Sequence, residues 1–66
     1  MRVTLNGEAR EVPDDVTVRG LLQSLGLQKS AVAVAVNSEF VPRSEHHAHT
    51  IQAGDAIELV APMQGG

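Results

Sequence analysis

The 66-residue sequence contains no cysteine, tryptophan or tyrosine, and Phe40 is its only aromatic residue. The lack of cysteine excludes disulfides, thiolate metal sites and iron–sulfur clusters. A single aromatic side chain leaves almost nothing on which nucleic-acid bases could stack. The net charge of −3 also disfavours a phosphate-backbone partner, because the five basic residues form no run in the sequence. The composition therefore predicts neither a disulfide scaffold nor a nucleic-acid-binding protein.

A long hydrophobic run is absent as well. The longest strongly apolar stretch, Ala31–Val36, is far too short to cross a bilayer. Met1 is followed by charged and alternating residues, not by the apolar region of a signal peptide. The chain has room for one small domain with a single modest core. We therefore expect a cytoplasmic domain with no membrane partner.

The first half of the chain carries the signals of a β-hairpin followed by a helix. Asn6-Gly7 is a strong hairpin turn signal between alternating residues, so residues 2–12 predict a hairpin. Thr17 is a good N-cap, and Gly26 suits the left-handed position that ends a helix. The apolar residues between these two positions form one helical stripe: Val18, Leu21, Leu22 and Leu25.

The second half predicts two further strands. In Ala31–Val36 the valines are expected to face the helix, and the alanines to form a thin opposite surface; a docking surface for another protein is the alternative. Residues 56–61 predict the final strand. Pro42 lacks an amide donor, so its segment is predicted as an edge or loop. The polar stretch 44–49 is predicted to be irregular, with at most one helical turn capped by Ser44.

The order of these elements has a simple packing solution. One main helix laid across one face of a mixed four-stranded sheet buries the apolar stripe. Right-handed crossover logic places the last strand beside the first, in parallel, at the sheet centre. We therefore predict the α+β, β-grasp (ubiquitin-like) fold for a domain at residues 1–61. A flexible Gly-Gly tail at residues 62–66 is predicted to follow it.

No catalytic constellation is visible in the sequence. Nucleophile-elbow, dinucleotide-binding and P-loop motifs are all absent, and a pocket in so short a chain would consume the core. His46, His47 and His49 are the one candidate metal cluster. Adjacent histidines point apart in regular structure, so we expect a solvated loop there and no metal site. The sequence predicts that the chain is not an enzyme and binds no cofactor itself.

The most distinctive chemical group is the carboxylate of Gly66. Gly65 and Gly66 place no side chain near it, so this end can enter a narrow channel. An α-carboxylate has an ordinary pKa of about 3.3–3.7 and is ionised at pH 7, so it can attack the phosphorus of ATP in a partner's active site. The resulting acyl-adenylate can accept a sulfur nucleophile. We predict Gly66 as the reacting residue, with Gly65, Gln64 and Met63 entering partner active sites; a frayed terminus without a chemical role is the alternative.

Several segments of the chain resemble the ThiS family of sulfur carriers. The most specific is the stretch Phe40-Val41-Pro42-Arg43-Ser44-Glu45-His46, and the others are Val36-Asn37, Gly54-Asp55, Ile57-Glu58-Leu59-Val60 and Gln64-Gly65-Gly66. The resemblance spans essentially the whole chain. The molybdopterin synthase small subunit shares the Gly-Asp turn, the strand and the Gly-Gly end, but it lacks the V-P-R-S-E-H stretch. A ubiquitin-like modifier conjugated through Gly66 is a further alternative.

The resemblance implies a protein cosubstrate in thiamine biosynthesis. An adenylating enzyme related to ubiquitin-activating enzymes (ThiF type) would adenylate Gly66, using ATP and magnesium. Sulfur from a cysteine desulfurase or a similar donor would then convert the adenylate to a thiocarboxylate. A thiazole synthase (ThiG type) would take this sulfur for the thiazole ring, and Gly65 would provide clearance in both partner sites. The resemblance implies no role for His47 or His49.

Overall fold

The structure is a computed structural model that describes residues 1–60. The elements in chain order are β1 (Arg2–Leu5), β2 (Glu8–Glu11), α1 (Val18–Ser24), β3 (Ala33–Val36), β4 (Glu39–Val41), a 3₁₀ turn (Arg43–Glu45) and β5 (Ala56–Val60). Asn6 and Gly7 join β1 to β2 with φ values of 51° and 86°. Both turn residues are left-handed, as a tight hairpin requires, so the predicted hairpin is confirmed.

All five strands form one sheet in the order β2-β1-β5-β3-β4. β5 pairs in parallel with β1 and antiparallel with β3, so the last strand lies at the sheet centre. This arrangement confirms the predicted β-grasp fold. The sheet has one strand more than the predicted four, because Glu39–Val41 pairs antiparallel with β3. Pro42 follows this strand directly, and β4 is an edge strand, as a missing amide donor favours.

The core lies between α1 and one face of the sheet. On β3, Val34 and Val36 are buried and face the helix, while Ala33 and Ala35 lie on the opposite face, as predicted. Ile51 reaches the core from a loop. The buried apolar residues are Val3, Val12, Val18, Leu21, Leu22, Val34, Val36, Val41, Ile51 and Ile57. The elements predicted from apolar periodicity therefore supply most of the core.

Local side-chain and backbone chemistry fixes both ends of α1. Thr17 is the N-cap, and its Oγ1 accepts a hydrogen bond from the Gly20 amide at 3.0 Å. At the other end Gly26 has a φ of 74°, and the Leu27 amide donates to the Leu22 carbonyl at 2.8 Å. This is a Schellman motif, so both predicted helix signals are confirmed. Within residues 1–60 no helix is long and apolar enough to cross a membrane.

The histidine-rich segment differs from its prediction. The 3₁₀ turn begins after Pro42 and has no side-chain cap, so the predicted Ser44 cap is wrong. His46 ends this turn and is only 7% exposed. Its Nε2 lies 3.0 Å from the Val41 carbonyl oxygen, and because that oxygen can only accept, Nε2 is the donor. The expected solvated loop therefore describes His47, which is exposed, but not His46.

Candidate functional site

The face of the sheet opposite α1 carries an exposed apolar patch. Phe40 is 66% exposed and Val60 is 63% exposed. In the strand registers Phe40 lies opposite Ala35, and Val60 lies opposite Ala33, so these four residues share one face. We call these four residues the Phe40 patch. Two larger side chains, Phe40 and Val60, beside two alanines form an apolar surface that another protein can cover closely.

An exposed phenylalanine is informative because its burial would be favourable. Burying a phenylalanine side chain contributes about 1.5–3 kcal/mol, and Phe40 leaves most of that contribution unused in the folded domain. Exposed apolar surface rimmed by polar residues is typical of interaction sites. Here Glu58 lies opposite Ala35 on β5, so a carboxylate borders the Phe40 patch. The docking surface left open as an alternative in the sequence is therefore the interpretation that this face favours.

β5 leads from the sheet centre into the predicted tail. Its last residue, Val60, pairs with Ala33, so β5 ends within the Phe40 patch. Residue 61 and the predicted tail, with the predicted site residues Met63, Gln64, Gly65 and Gly66, lie outside the described residues. The structure thus gives the origin of the tail and the surface beside that origin.

Two asparagine side chains fix β5 in position. The Asn37 Oδ1 accepts from the Ala56 amide at 2.9 Å, and its Nδ2 donates to the Asp55 carboxylate at 3.0 Å. The Asn6 Oδ1 accepts from the Leu59 amide at 2.9 Å. Asn6 and Asp55 are predicted from the sequence only as turn residues, and Asn37 only as part of the family resemblance. These contacts could have been suspected from the sequence, because asparagine in a turn often forms side-chain hydrogen bonds to nearby backbone.

The histidines do not form a metal site in the described part of the chain. No group of three or more histidine, aspartate or glutamate side chains converges there in a way that could hold a metal ion. The His46 ring donates to the Val41 carbonyl. His46 and His47 do border a surface groove that is also lined by basic side chains. This groove was not predicted from the sequence.

The fold and the open face define a class of protein. A helix laid on a five-stranded sheet with a central β5, parallel to β1, is the β-grasp fold of ubiquitin-like domains. The ThiS family model matches residues 3–66, which is nearly the whole chain. The chain belongs to the ThiS family.

Known relatives resemble the chain over its whole length. The sulfur carrier protein ThiS of Escherichia coli is 33% identical over 66 residues, covering 100% of both chains. A thiazole synthase of Paramagnetospirillum magneticum is 39% identical over all of this chain, which spans only 20% of that protein. The crystal structure of the thiamine biosynthesis protein ThiS from Geobacter metallireducens matches with a TM-score of 0.86 and 33% identity, covering 100% of both chains. These matches confirm the family that the sequence motifs resemble.

Proposed function

We propose that this chain is a sulfur carrier of thiamine biosynthesis whose Gly66 carboxylate carries sulfur for thiazole formation. The observation that carries the proposal is the end-to-end match with the Escherichia coli sulfur carrier. The Phe40 patch supports it, because a carrier needs a surface by which partner enzymes hold it while its tail reacts. Residues 61–66 can span at most roughly 20 Å, at about 3.3–3.6 Å per residue, so a partner docked on this face can reach Gly66.

The first step of the proposed mechanism is adenylation by a ThiF-type enzyme. A Gly66 carboxylate oxygen attacks the α-phosphorus of ATP, forming an acyl–phosphate bond and breaking the bond to pyrophosphate. Magnesium bound by that enzyme would supply neutralisation of the phosphate charge. Gly65 and Gly66 have no side chains to block a narrow site, while Gln64 and Met63 follow them into it. The product is an acyl-adenylate, in which AMP is a good leaving group.

The second step replaces AMP with sulfur. A persulfide sulfur from a cysteine desulfurase or a similar donor attacks the carbonyl carbon, and AMP leaves with the bonding electrons. A thiol then reduces the acyl disulfide, which leaves a thiocarboxylate on Gly66 and a new disulfide on the thiol partner. This chain contains no cysteine, and Lys29 is its only lysine. No internal thiol can therefore intercept the activated carbonyl.

We propose a ThiG-type thiazole synthase as the receiving partner. The thiazole synthase of Paramagnetospirillum magneticum includes a segment 39% identical to this chain. A carrier joined to its acceptor enzyme gains a high effective concentration at the acceptor site. Where carrier and acceptor are separate proteins, docking provides that proximity, and the Phe40 patch is the surface we assign to it.

Alkylation after reconstitution tests this function. The chain is incubated with a ThiF-type enzyme, ATP, magnesium and a sulfur donor, and is then treated with iodoacetamide. Because the chain has no cysteine, we expect one alkyl group on the thiocarboxylate, located at Gly66 by fragmentation and absent without ATP. Alkylation is preferable to intact mass alone, since oxidation of Met1 or Met63 adds nearly the mass gained when sulfur replaces oxygen.

Variants of the terminus provide the controls. Removal of Gly66, or addition of one alanine after it, should abolish sulfur transfer without changing the melting temperature of the domain. A variant without Gly66 that still supported thiazole formation would contradict the proposal. Adducts on target lysines, without any alkylatable sulfur, would identify a protein modifier instead.

A further inference from the structure

A groove of about 440 Å³ lies between α1, the loop before β3 and the segment after β4. Arg19, Lys29 and Arg43 line it, so three of the five lysine and arginine residues of the chain meet at one place. None of the eight aspartate and glutamate residues lines it. We call it the cationic groove. On a chain with a net charge of −3, this is a marked local excess of positive charge.

The groove coexists with the core, contrary to the expectation that a pocket would consume it. Arg19 belongs to the exposed side of α1, whereas Leu21 and Leu22 are buried. The groove therefore forms between surface segments, and the buried core remains beneath it. Arg19, Lys29 and Arg43 are far apart in the chain and only the fold brings them to one groove, so the groove could not be predicted from the sequence.

Ion pairs do not neutralise these three basic side chains within residues 1–60. The ion pairs there involve the N-terminal ammonium group and Arg2, paired with Glu11 and Asp14, all in or beside the hairpin. Like charges gathered around one groove repel each other, and the repulsion is relieved when an anion lies among them. The charge of the cationic groove thus favours an anionic ligand.

We propose that the cationic groove binds a small organic phosphate, that is, a phosphate monoester with an apolar body. Its volume falls in the range of about 300–1,000 Å³ that small-molecule sites occupy. Arginine matches phosphate oxygens with paired hydrogen bonds, and lysine adds a mobile point charge, so Arg19, Arg43 and Lys29 suit a dianion.

The rest of the lining fits the remainder of such a ligand. Gln23, Gln28 and Ser30 line the groove and provide amide and hydroxyl donors. Val32, which is half-buried, also lines it and offers aliphatic surface to an organic body. An inorganic anion would leave that aliphatic surface uncovered, so the lining favours a monoester.

His46 stabilises one wall of the groove. It is buried, and its ring donates to the Val41 carbonyl at the end of β4. Its own carbonyl accepts from the Arg19 amide of α1 at 3.0 Å, which joins the segment after β4 to the helix. A wall that is already ordered lowers the entropic cost of binding. The groove shares no residue with the Phe40 patch, so the inference does not rest on the proposed sulfur-carrier function.

An NMR titration of isotope-labelled protein with phenyl phosphate tests the inference, at constant ionic strength set by sodium chloride. We expect saturable shifts at the backbone amides of Arg19, Lys29, Ser30 and Arg43, and none at the hairpin. Inorganic phosphate should bind the same amides about threefold or more weakly, because it cannot cover the aliphatic surface of Val32. Phenol, which lacks the charge, should cause no saturable shift.

The chain offers a matched pair of charge variants. Arg19→Gln combined with Arg43→Gln should weaken phenyl phosphate binding about tenfold or more, because charge-assisted hydrogen bonds are lost. Arg2→Gln combined with Arg10→Gln removes the same charge from the hairpin and should leave the affinity within about twofold. All four arginines are exposed, and a thermal melt verifies that both variants fold.

Two results would overturn the inference. An equal loss of affinity in the two double variants, or shifts that grow without saturation, would reduce the effect to non-specific charge attraction. Tighter binding of a hexaglutamate peptide than of phenyl phosphate would assign the groove to an acidic protein segment instead.

Discussion

Two asparagines with left-handed backbones serve both a turn and the strand that leads to the tail. Asn6 has a φ of 51° and Asn37 a φ of 53°. Their side chains accept hydrogen bonds from the Leu59 and Ala56 amides of β5. Asparagine tolerates the left-handed region better than most residues, because its short polar side chain can bond locally. Each asparagine therefore combines a backbone requirement with a side-chain contact.

Substitution of Asn37 separates these two contributions. Asn37→Gly keeps the left-handed backbone accessible but removes the bonds to Ala56 and Asp55, so it should destabilise the domain by about 1 kcal/mol. Asn37→Ala loses the same bonds but, unlike Asn37→Gly, keeps a Cβ in the left-handed region, so it should be about 1 kcal/mol less stable than Asn37→Gly. Urea unfolding monitored by circular dichroism measures both. Equal stability of the two variants would show that the backbone strain is negligible.

The buried histidine should matter far more to stability than its neighbour. His46→Ala leaves a cavity and deprives the Val41 carbonyl of its donor, so we expect a loss of about 2 kcal/mol. His47→Ala removes an exposed side chain and should change stability by less than about 0.5 kcal/mol. Parallel urea titrations give both values. A His46→Ala variant as stable as His47→Ala would contradict the structural role given to this ring.

Among the elements, β4 contributes most directly to the surface of the proposed carrier. It buries Val41 toward the helix and presents Phe40 on the opposite side. An edge strand of three residues has few pairing bonds of its own, so it depends on Val41 to hold it. The same strand therefore joins the core to the Phe40 patch.

Removal of the aromatic ring should weaken partner docking and leave the fold intact. Phe40→Ser is expected to lower kcat/KM for adenylation by a ThiF-type enzyme about tenfold or more, since aromatic hot spots contribute about 2 kcal/mol or more. Its free energy of unfolding should change by less than about 0.5 kcal/mol. Ala53→Ser, in the exposed turn before β5, is the matched control and should leave the rate unchanged. Unaltered adenylation of Phe40→Ser would show that the adenylating enzyme does not dock on the patch.

Elements with strong local signals could be predicted, and β4 shows why one could not. Asn6-Gly7, Thr17 and Gly26 mark a turn and two helix ends through their own chemistry, and all three stand in the structure as expected. The turn before β4 is weaker, because Ser38 occupies a left-handed position with a φ of 70° where glycine is usual. Pro42 follows β4 directly and has no amide donor, so residues 39–41 did not show the sequence pattern of a paired strand.

For the whole molecule, a small core sets a narrow stability margin. A core in a domain of this size rarely supplies more than about 3–5 kcal/mol. Ile57 is 1% exposed in the central strand, and Ile57→Ala should cost about 2–5 kcal/mol, enough to unfold much of the protein. Ile57→Val should cost about 0.5–1.5 kcal/mol and remain folded. NMR peak dispersion at 25 °C distinguishes the two; a well-dispersed Ile57→Ala spectrum would imply a larger margin.

The candidate site could be predicted from the sequence only in part, because much of it depends on the fold of the whole molecule. The role of Gly66 stays a prediction, because it depends on the terminal residues alone and these lie outside the described residues. The Phe40 patch and the cationic groove depend on strand register and on contacts between distant segments. Phe40 meets Ala35 through the β3–β4 register, and Arg19 meets Arg43 across the space between α1 and the segment after β4. Neither of these two proximities can be recognised from a short stretch of sequence.

The central position of β5 has a mechanical consequence. A partner that draws on the chain beyond Val60 pulls along the axis of a strand bonded to β1 on one side and β3 on the other. Such tension shears both ladders together, whereas tension on β4 peels an edge strand one bond at a time. In single-molecule pulling, rupture from the C-terminus should therefore require a higher force than rupture through position 40. The pairing of β5 on both sides thus favours a domain that remains folded when the chain beyond Val60 is under tension.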